Sequence, residues 1–138
     1  MKKISGFVLS IIGLLHSLLA LVMPGTIGFS GIWSEIMDVG VIDAAKPDSL
    51  RIWGYYWFLM PGLIVILFGL LCHWVENQLN ASLPWFVGWG LLLVACFGIL
   101  LDLDTGFWLV LLVAINAIIA SHRGNQSRQP DGENEFSK

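Results

Sequence analysis

His16 is the residue whose position best suits chemistry in an apolar environment. It lies in the middle of an apolar stretch over residues 4–23, and an ionisable group at that depth of a membrane span marks a functional-site hypothesis. The alternative is a neutral imidazole that a backbone carbonyl satisfies. Pro61 in the second apolar stretch predicts such a carbonyl, because a proline inside a helix leaves the oxygen of Trp57 without its usual donor.

A second candidate site lies at the outer end of the predicted bundle, where charged residues and aromatic rings gather. The residues expected to share this end are Glu35, Asp38, Asp43, Asp48, Arg51, Asp102, Asp104, Trp53, Tyr55, Tyr56, Trp57 and Trp108. We expect Arg51 to pair with one of the acids, which would give a polar mouth lined with rings. The alternative is an ordinary acidic loop beside an aromatic belt at the membrane interface. The predicted ligand-binding residues are His16, Asp38, Arg51, Tyr56, Trp57 and Trp108.

The remaining histidines and cysteines are not expected to form a metal, haem or redox site. His16 and His73 differ in depth by about 15 Å of helix, so they cannot ligate one haem iron from opposite sides. Cys72 and Cys96 also lie at different depths and form no C-x-x-C motif. The sequence carries no zinc-ligand spacing, phosphate-binding glycine loop or nucleophile elbow. We therefore expect no metal, no cofactor and no catalytic residues.

Membrane-spanning helices are the elements expected to position these residues. The 138-residue chain has 57% hydrophobic and 12% charged residues and a mean hydropathy of +0.78, whereas a soluble domain carries about 25% charged residues. A span needs about 20 apolar residues, and four stretches meet or approach this length: residues 4–23, 52–74, 83–101 and 105–121. The net charge of −3 and the lack of a basic patch exclude nucleic acid as a partner.

The expected fold is an all-α, integral membrane four-helix bundle of up-down-up-down topology. It forms one domain over residues 1–121, followed by a disordered cytoplasmic tail over residues 122–138. Small residues recur along the first span at steps of three and four and predict close helix packing; they are Gly6, Ser10, Gly13, Ser17 and Ala20. Asn116 in the fourth span is expected to hydrogen-bond to another helix, with Ser10 as its partner.

The loop over residues 24–49 is predicted to contain a short amphipathic helix. Ser30 is the candidate N-cap and Gly40 the candidate stop. Between them, apolar residues recur at helical spacing, which is typical of a helix that lies on a membrane interface or covers the end of a bundle.

Basic residues predict the orientation. With an even number of spans, five of the seven fall on one side: Lys2, Lys3, Arg123, Arg128 and Lys138. The positive-inside rule then places both termini in the cytoplasm and indicates a multi-pass protein of the cell inner membrane. The expected partners are membrane lipid, a hydrophobic small molecule and a second copy of the chain in a homo-oligomer.

Short motifs follow one another along the chain in a recognisable order. They are Gly13 with Leu15-His16, Asp38-Val39-Gly40, Arg51 ahead of Trp57-Phe58, Gly62 and Gly69, and Gly106-Phe107-Trp108. Together they resemble a family of small bacterial four-span membrane proteins of unknown function, over about residues 4–121. Residues 103–105 (Leu-Asp-Thr) stand where such proteins carry a proline and a serine. The resemblance implies the four-span topology, marks His16, Asp38, Arg51 and Trp57 for testing, and supplies no activity.

Three classes of function fit this sequence. The favoured one is a membrane protein that binds a lipid-like or other hydrophobic small molecule within the bundle. The second is a small oligomeric transporter, because compact four-span multidrug exporters are similar in size and topology. Those exporters use an intramembrane glutamate for coupling. None of the predicted spans contains a glutamate, so His16 would replace it. The third is a membrane-embedded lipid-modifying enzyme, in which His16 and an outer carboxylate would act as acid and base.

Overall fold

The computed structural model describes residues 4–42, 44, 49–103 and 106–126, with side chains described as far as Arg123. Over these residues the chain is helical, with no strand, which confirms the all-α prediction. The helices are α1 (Ser5–Val22), α2 (Ile32–Val39), α3 (Leu50–Gln78), α4 (Trp85–Leu101) and α5 (Phe107–Gln126), and a short 3-10 helix, Pro24–Ile27, follows α1. Several residues on which the sequence predictions rest lie outside the described residues: Lys2, Lys3, Asp43, Asp48, Asp104, Arg128, Lys138 and most of the predicted tail.

α1 and α3 are long and apolar enough to cross a membrane by their length and composition, and α4 and α5 contain shorter apolar segments, Trp85–Leu101 and Phe107–Arg123. α3 has 29 residues and is therefore about 43 Å long. It extends beyond the predicted span at both ends, and it continues through Pro61 without a break.

α1 is the central helix of the molecule. The close backbone contacts link the described helices in the order α3–α1–α5–α4, with the most extensive packing between α1 and α3 and between α4 and α5. α3 and α4 follow each other in sequence, yet their main packing partners are α1 and α5. The molecule therefore consists of two helix pairs that α1 and α5 join.

Glycines allow the backbones of α1 and α3 to touch. A methyl group built on Gly6 would overlap the backbone nitrogen of His73, and one built on Gly69 would lie 2.5 Å from the backbone nitrogen of Ser10. Such an approach requires residues that have no side chain. The predicted packing role of the small residues on α1 is confirmed, and their partner is α3.

The same principle joins α4 to α5. A methyl group on Gly88 would lie 2.7 Å from a side-chain carbon of Ile118, and one on Gly98 would overlap the ring of Phe107. Ala95 of α4 is fully buried. Small residues therefore set the spacing of both helix pairs.

α2 lies across the end of the α1–α3 pair. Its residues Ile32 and Ile36 are buried in a cluster whose other buried members are Ala20, Ala44, Ile52 and Tyr55. Gly40 ends the helix with φ +99°, as predicted. The predicted N-cap at Ser30 is wrong: Gly31 occupies that position with φ +73° and no side chain caps the helix, because the chain enters α2 through a left-handed turn that glycine adopts without strain.

Candidate functional site

His16 lies in the seam between α1 and α3, where its imidazole contacts Phe58. The two rings stack with centroids 4.4 Å apart, and His16 Nε2 lies 2.9 Å from the carbonyl oxygen of Phe58. Because a carbonyl oxygen only accepts hydrogen bonds, Nε2 carries the proton and donates it. The sequence predicted the carbonyl of Trp57 as the partner, but the bond goes to the carbonyl of the next residue, Phe58.

The seam is tightly packed where His16 meets Gly62 of α3. A methyl group built on Gly62 would lie 2.5 Å from Ser17 Oγ and 2.7 Å from a ring carbon of His16. Among the described residues, the buried Ser17 hydroxyl has no hydrogen-bond partner. His16 is therefore a packed, hydrogen-bonded histidine between two helices.

Arg51 holds α2 against the first turn of α3. Its guanidinium donates hydrogen bonds to the Glu35 carboxylate and to the backbone carbonyl of Ser30, so the predicted pairing of Arg51 with an acid is confirmed. Beside this pair is an open cleft of about 510 Å³, lined by Glu35, Asp38, Val39, Ser49, Leu50, Arg51 and Ile52. The cleft combines charged and apolar surface at one end of the helix pair.

The aromatic residues near this end divide into a buried and an exposed set. Tyr55 is fully buried, and its hydroxyl donates to the carbonyl of Ala20 at 3.2 Å, while Tyr56 packs beside it with ring centroids 6.0 Å apart. Trp53 and Trp57 are exposed on α3 and pack against each other with ring centroids 5.7 Å apart. They provide an exposed apolar surface on α3, and its first residue, Trp53, directly follows Ile52 of the cleft lining in the sequence.

The structure brings together only part of the predicted site. Arg51 and Asp38 line one cleft, and Trp57 lies on the same helix as Arg51. Trp108 belongs to the other helix pair, where its indole N–H donates to the carbonyl of Leu103 at 3.0 Å, and His16 lies in the seam. The predicted residues therefore occupy three separate surroundings.

Glu76 is a buried carboxylate that the sequence argument missed. Its side chain is 4% exposed and accepts hydrogen bonds from the backbone N–H groups of Ser5, at 3.2 Å, and Gly6, at 3.0 Å. These donors belong to the first turn of α1, where backbone N–H groups lack helical partners and favour a negative charge. Glu76 lies just beyond the predicted second span, in the part of α3 that continues past Trp74 to Gln78.

Asn116 extends this polar cluster to α5. Its amide donates to the Ser5 hydroxyl at 2.8 Å, so its predicted interhelical role is confirmed. The predicted partner, Ser10, is wrong, because the Ser10 hydroxyl donates within α1 to the carbonyl of Gly6 at 3.1 Å. The N-cap residue of α1, Ile4, makes no side-chain capping bond, so the first-turn N–H groups are free to bind Glu76.

These features define a helical protein in which two pairs of apolar helices meet through small residues and an amphipathic helix covers one end. The chain belongs to DUF6463, a family of unknown function whose sequence model matches residues 1–124. No curated protein and no solved structure matches the chain. The predicted resemblance to a family of unknown function is confirmed, and membership of this family assigns no activity to the cleft or to the seam.

Proposed function

We propose that this chain is a four-span integral membrane protein that binds a lipid-like amphiphile in the cleft between α2 and α3. The membrane part of the proposal is supported by the surface of the molecule. Large apolar side chains are exposed along α1, α3, α4 and α5, far beyond the apolar patches that a soluble monomer tolerates. A lipid environment covers such a surface without further partners.

The tryptophans of α3 support its placement across a bilayer. Trp57 and Trp74 are both exposed and are separated by 17 residues, or about 26 Å of helix. Trp53, one turn earlier, extends the distance to about 31 Å. The hydrocarbon core of a bilayer is about 30 Å thick, and tryptophan concentrates at its two interfaces.

The shorter pair, α4 and α5, is proposed to span the same layer. α4 has 17 residues, the lower end of the range for a transmembrane helix. The bond between Asn116 and Ser5 sets α5 beside α1, so a membrane that contains α1 also contains the apolar part of α5. With four spans, the positive-inside rule supports an orientation with both termini in the cytoplasm, and we propose the inner membrane as the location.

The observation that carries the ligand proposal is the amphipathic cleft beside Arg51. Its lining joins the Glu35–Arg51 pair and Asp38 to the apolar residues Leu50 and Ile52. A molecule with a polar head and an apolar tail matches both surfaces, because its head can bind the charged groups while its tail follows the exposed rings of α3. The proposed site lies at the end of the helix pair, because the glycines of α1 and α3 bring the two backbones into close contact along the seam.

Native mass spectrometry of the full chain, purified in mild detergent, tests this proposal. We expect a bound lipid-like adduct that is lost in Trp57→Ala and in Asp38→Ala. Trp74→Ala is the matched control, because Trp74 is equally exposed on α3 but lies at its opposite end, and it should retain the adduct. An empty protein, or an adduct that all three variants retain, would rule out the cleft as the binding site.

The two alternative functions receive less support. Both the transporter and the enzyme require His16 to exchange a proton. Because Nε2 donates to the carbonyl of Phe58, that exchange would use Nδ1, and no contact of the described residues brings a second acid or base to it. Proton-coupled flux in liposomes that disappears in His16→Ala would favour the transporter over the binding protein.

A further inference from the structure

We infer that α2 is anchored in the outer leaflet of the membrane by an apolar edge that the helix bundle leaves uncovered. This edge consists of Trp33, Met37, Val41 and Ile42. The inference rests on the proposed membrane placement of the chain, and it concerns a surface separate from the ligand cleft.

Seven of the eight residues of α2 divide into three sectors at about 3.6 residues per turn, and the eighth, Val39, lines the cleft. Ile32 and Ile36 face the bundle and are buried. Trp33 and Met37 follow on one side of them, about 100° further around the helix, and are exposed. The polar residues Ser34, Glu35 and Asp38 occupy the other side. The apolar arc of α2 is therefore about twice as wide as the part that the bundle covers.

The turn after α2 adds to the exposed apolar surface. Met37 is 68% exposed, and Ile42 is 93% exposed. Val41 beside it is also exposed. A group of large apolar side chains outside the spanning helices needs a covering surface, because their exposure to water is unfavourable.

Lipid is the partner that this edge fits, because the edge is continuous with the lipid-facing surface of α1. The indole N–H of Trp33 donates to the carbonyl of Leu21 at 3.3 Å, which places Trp33 at the outer end of α1. Val22 and Met23, at that same end, are exposed apolar residues. A bilayer that surrounds α1 therefore reaches the Trp33–Met37 side of α2.

The polar sector of α2 is consistent with this orientation. Glu35 and Asp38 line the cleft toward the start of α3, on the side of the helix away from Met37. α2 would then lie at the interface as amphipathic helices do, with an apolar side in the headgroup–acyl boundary and a polar side in water. The indole of Trp33 suits this position, since it combines an apolar body with a polar N–H.

Fluorescence quenching of the full chain in phosphatidylcholine vesicles tests the inference. In a chain with Cys72→Ala and Cys96→Ala, an environment-sensitive label is attached to Met37→Cys, Ile42→Cys or Asp38→Cys. We expect lipids brominated near the headgroup end of their chains to quench the labels at positions 37 and 42 several-fold more strongly than the label at position 38. Aqueous iodide should give the reverse order.

Leu67→Cys is the control that separates the two proposals. Leu67 lies on the exposed middle of α3, so lipid quenching there tests the membrane placement itself. Lipid quenching at position 67 together with iodide quenching at positions 37 and 42 would overturn the anchor and leave the membrane proposal intact. Labels at 37 and 42 that neither quencher reaches would also overturn it, because a protein surface would then cover the edge.

Discussion

Gly6 lies where the backbone of α1 meets the backbone of α3. A side chain there would overlap the backbone nitrogen of His73, whereas a methyl group built on Gly90 of α4 would have no atom within 4 Å. Both glycines lie in helices, but a side chain at position 6 would overlap another helix, whereas a side chain at position 90 would enter open space.

We predict that Gly6→Ala destabilises the protein by about 1–3 kcal/mol, the usual effect of forcing extra atoms into a packed interface. Gly90→Ala should be neutral or stabilise by up to about 1 kcal/mol, because alanine favours the helix. Thermal unfolding in detergent, followed by circular dichroism, measures both. Equal midpoints for the two variants would show that the α1–α3 backbones do not touch at Gly6.

Glu76 is the residue that supplies the missing cap of α1. We predict that Glu76→Ala lowers the free energy of unfolding by about 1.5–3 kcal/mol, because it removes hydrogen bonds to a charged acceptor and leaves two buried N–H groups without partners. Glu76→Gln should lose less, since one oxygen acceptor remains.

Asn77→Ala is the matched control for this prediction, measured in the same unfolding experiment. Asn77 neighbours Glu76 on α3 but is exposed, and within the described part of the chain its side chain bonds to His73. A loss in Asn77→Ala as large as in Glu76→Ala would argue that the buried carboxylate does not hold α1.

Among the elements, α2 depends on apolar packing more than on its ion pair. Ile36 is buried in the cluster with Tyr55, whereas Arg51 and Glu35 are both partly open to solvent. We predict that Ile36→Ala costs about 2–5 kcal/mol and that Glu35→Ala costs at most about 1 kcal/mol. Amide hydrogen exchange of residues 32–39 measures the local opening that results. Faster exchange in Glu35→Ala than in Ile36→Ala would reverse this order of importance.

The sequence predicted the helices better than their ends and partners. The small residues of α1 indicated a packed seam because their spacing matches one helix face, and Gly40 indicated the end of α2. The extension of α3 to Glu76 was missed because the hydropathy falls after Trp74. The helix continues there, and the Glu76 carboxylate binds the buried N–H groups of Ser5 and Gly6. The bond of His16 to Phe58 could not be predicted, because it depends on how α3 is rotated about its own axis, and composition does not determine that orientation.

The sequence predicted the charged part of the candidate site correctly, but it placed the aromatic residue Trp108 wrongly. Arg51 was expected to pair with an acid because opposite charges near one another in a small molecule tend to pair, and α2 brings Glu35 to the first turn of α3. Trp108 was placed in the same mouth because all four spans were expected to share one narrow bundle. The observed order of contacts, α3–α1–α5–α4, instead assigns it to a different helix pair.

The molecule as a whole is proposed to cross the membrane four times, and this is the central claim. This topology places Asp38 of α2 on the outer side of the membrane. It places Asn77, at the end of α3, and His122, near the end of α5, on the cytoplasmic side. These three residues have exposed side chains, so a cysteine at each should react wherever a reagent reaches it.

Cysteine labelling in spheroplasts, in a chain without its two native cysteines, tests this claim most directly. With a membrane-impermeant maleimide, we expect Asp38→Cys to react at once, and Asn77→Cys and His122→Cys to react only after the membrane is permeabilised. Immediate reaction at all three positions, or protection of Asp38→Cys with reaction of the other two, would contradict the proposed four-span topology or its orientation.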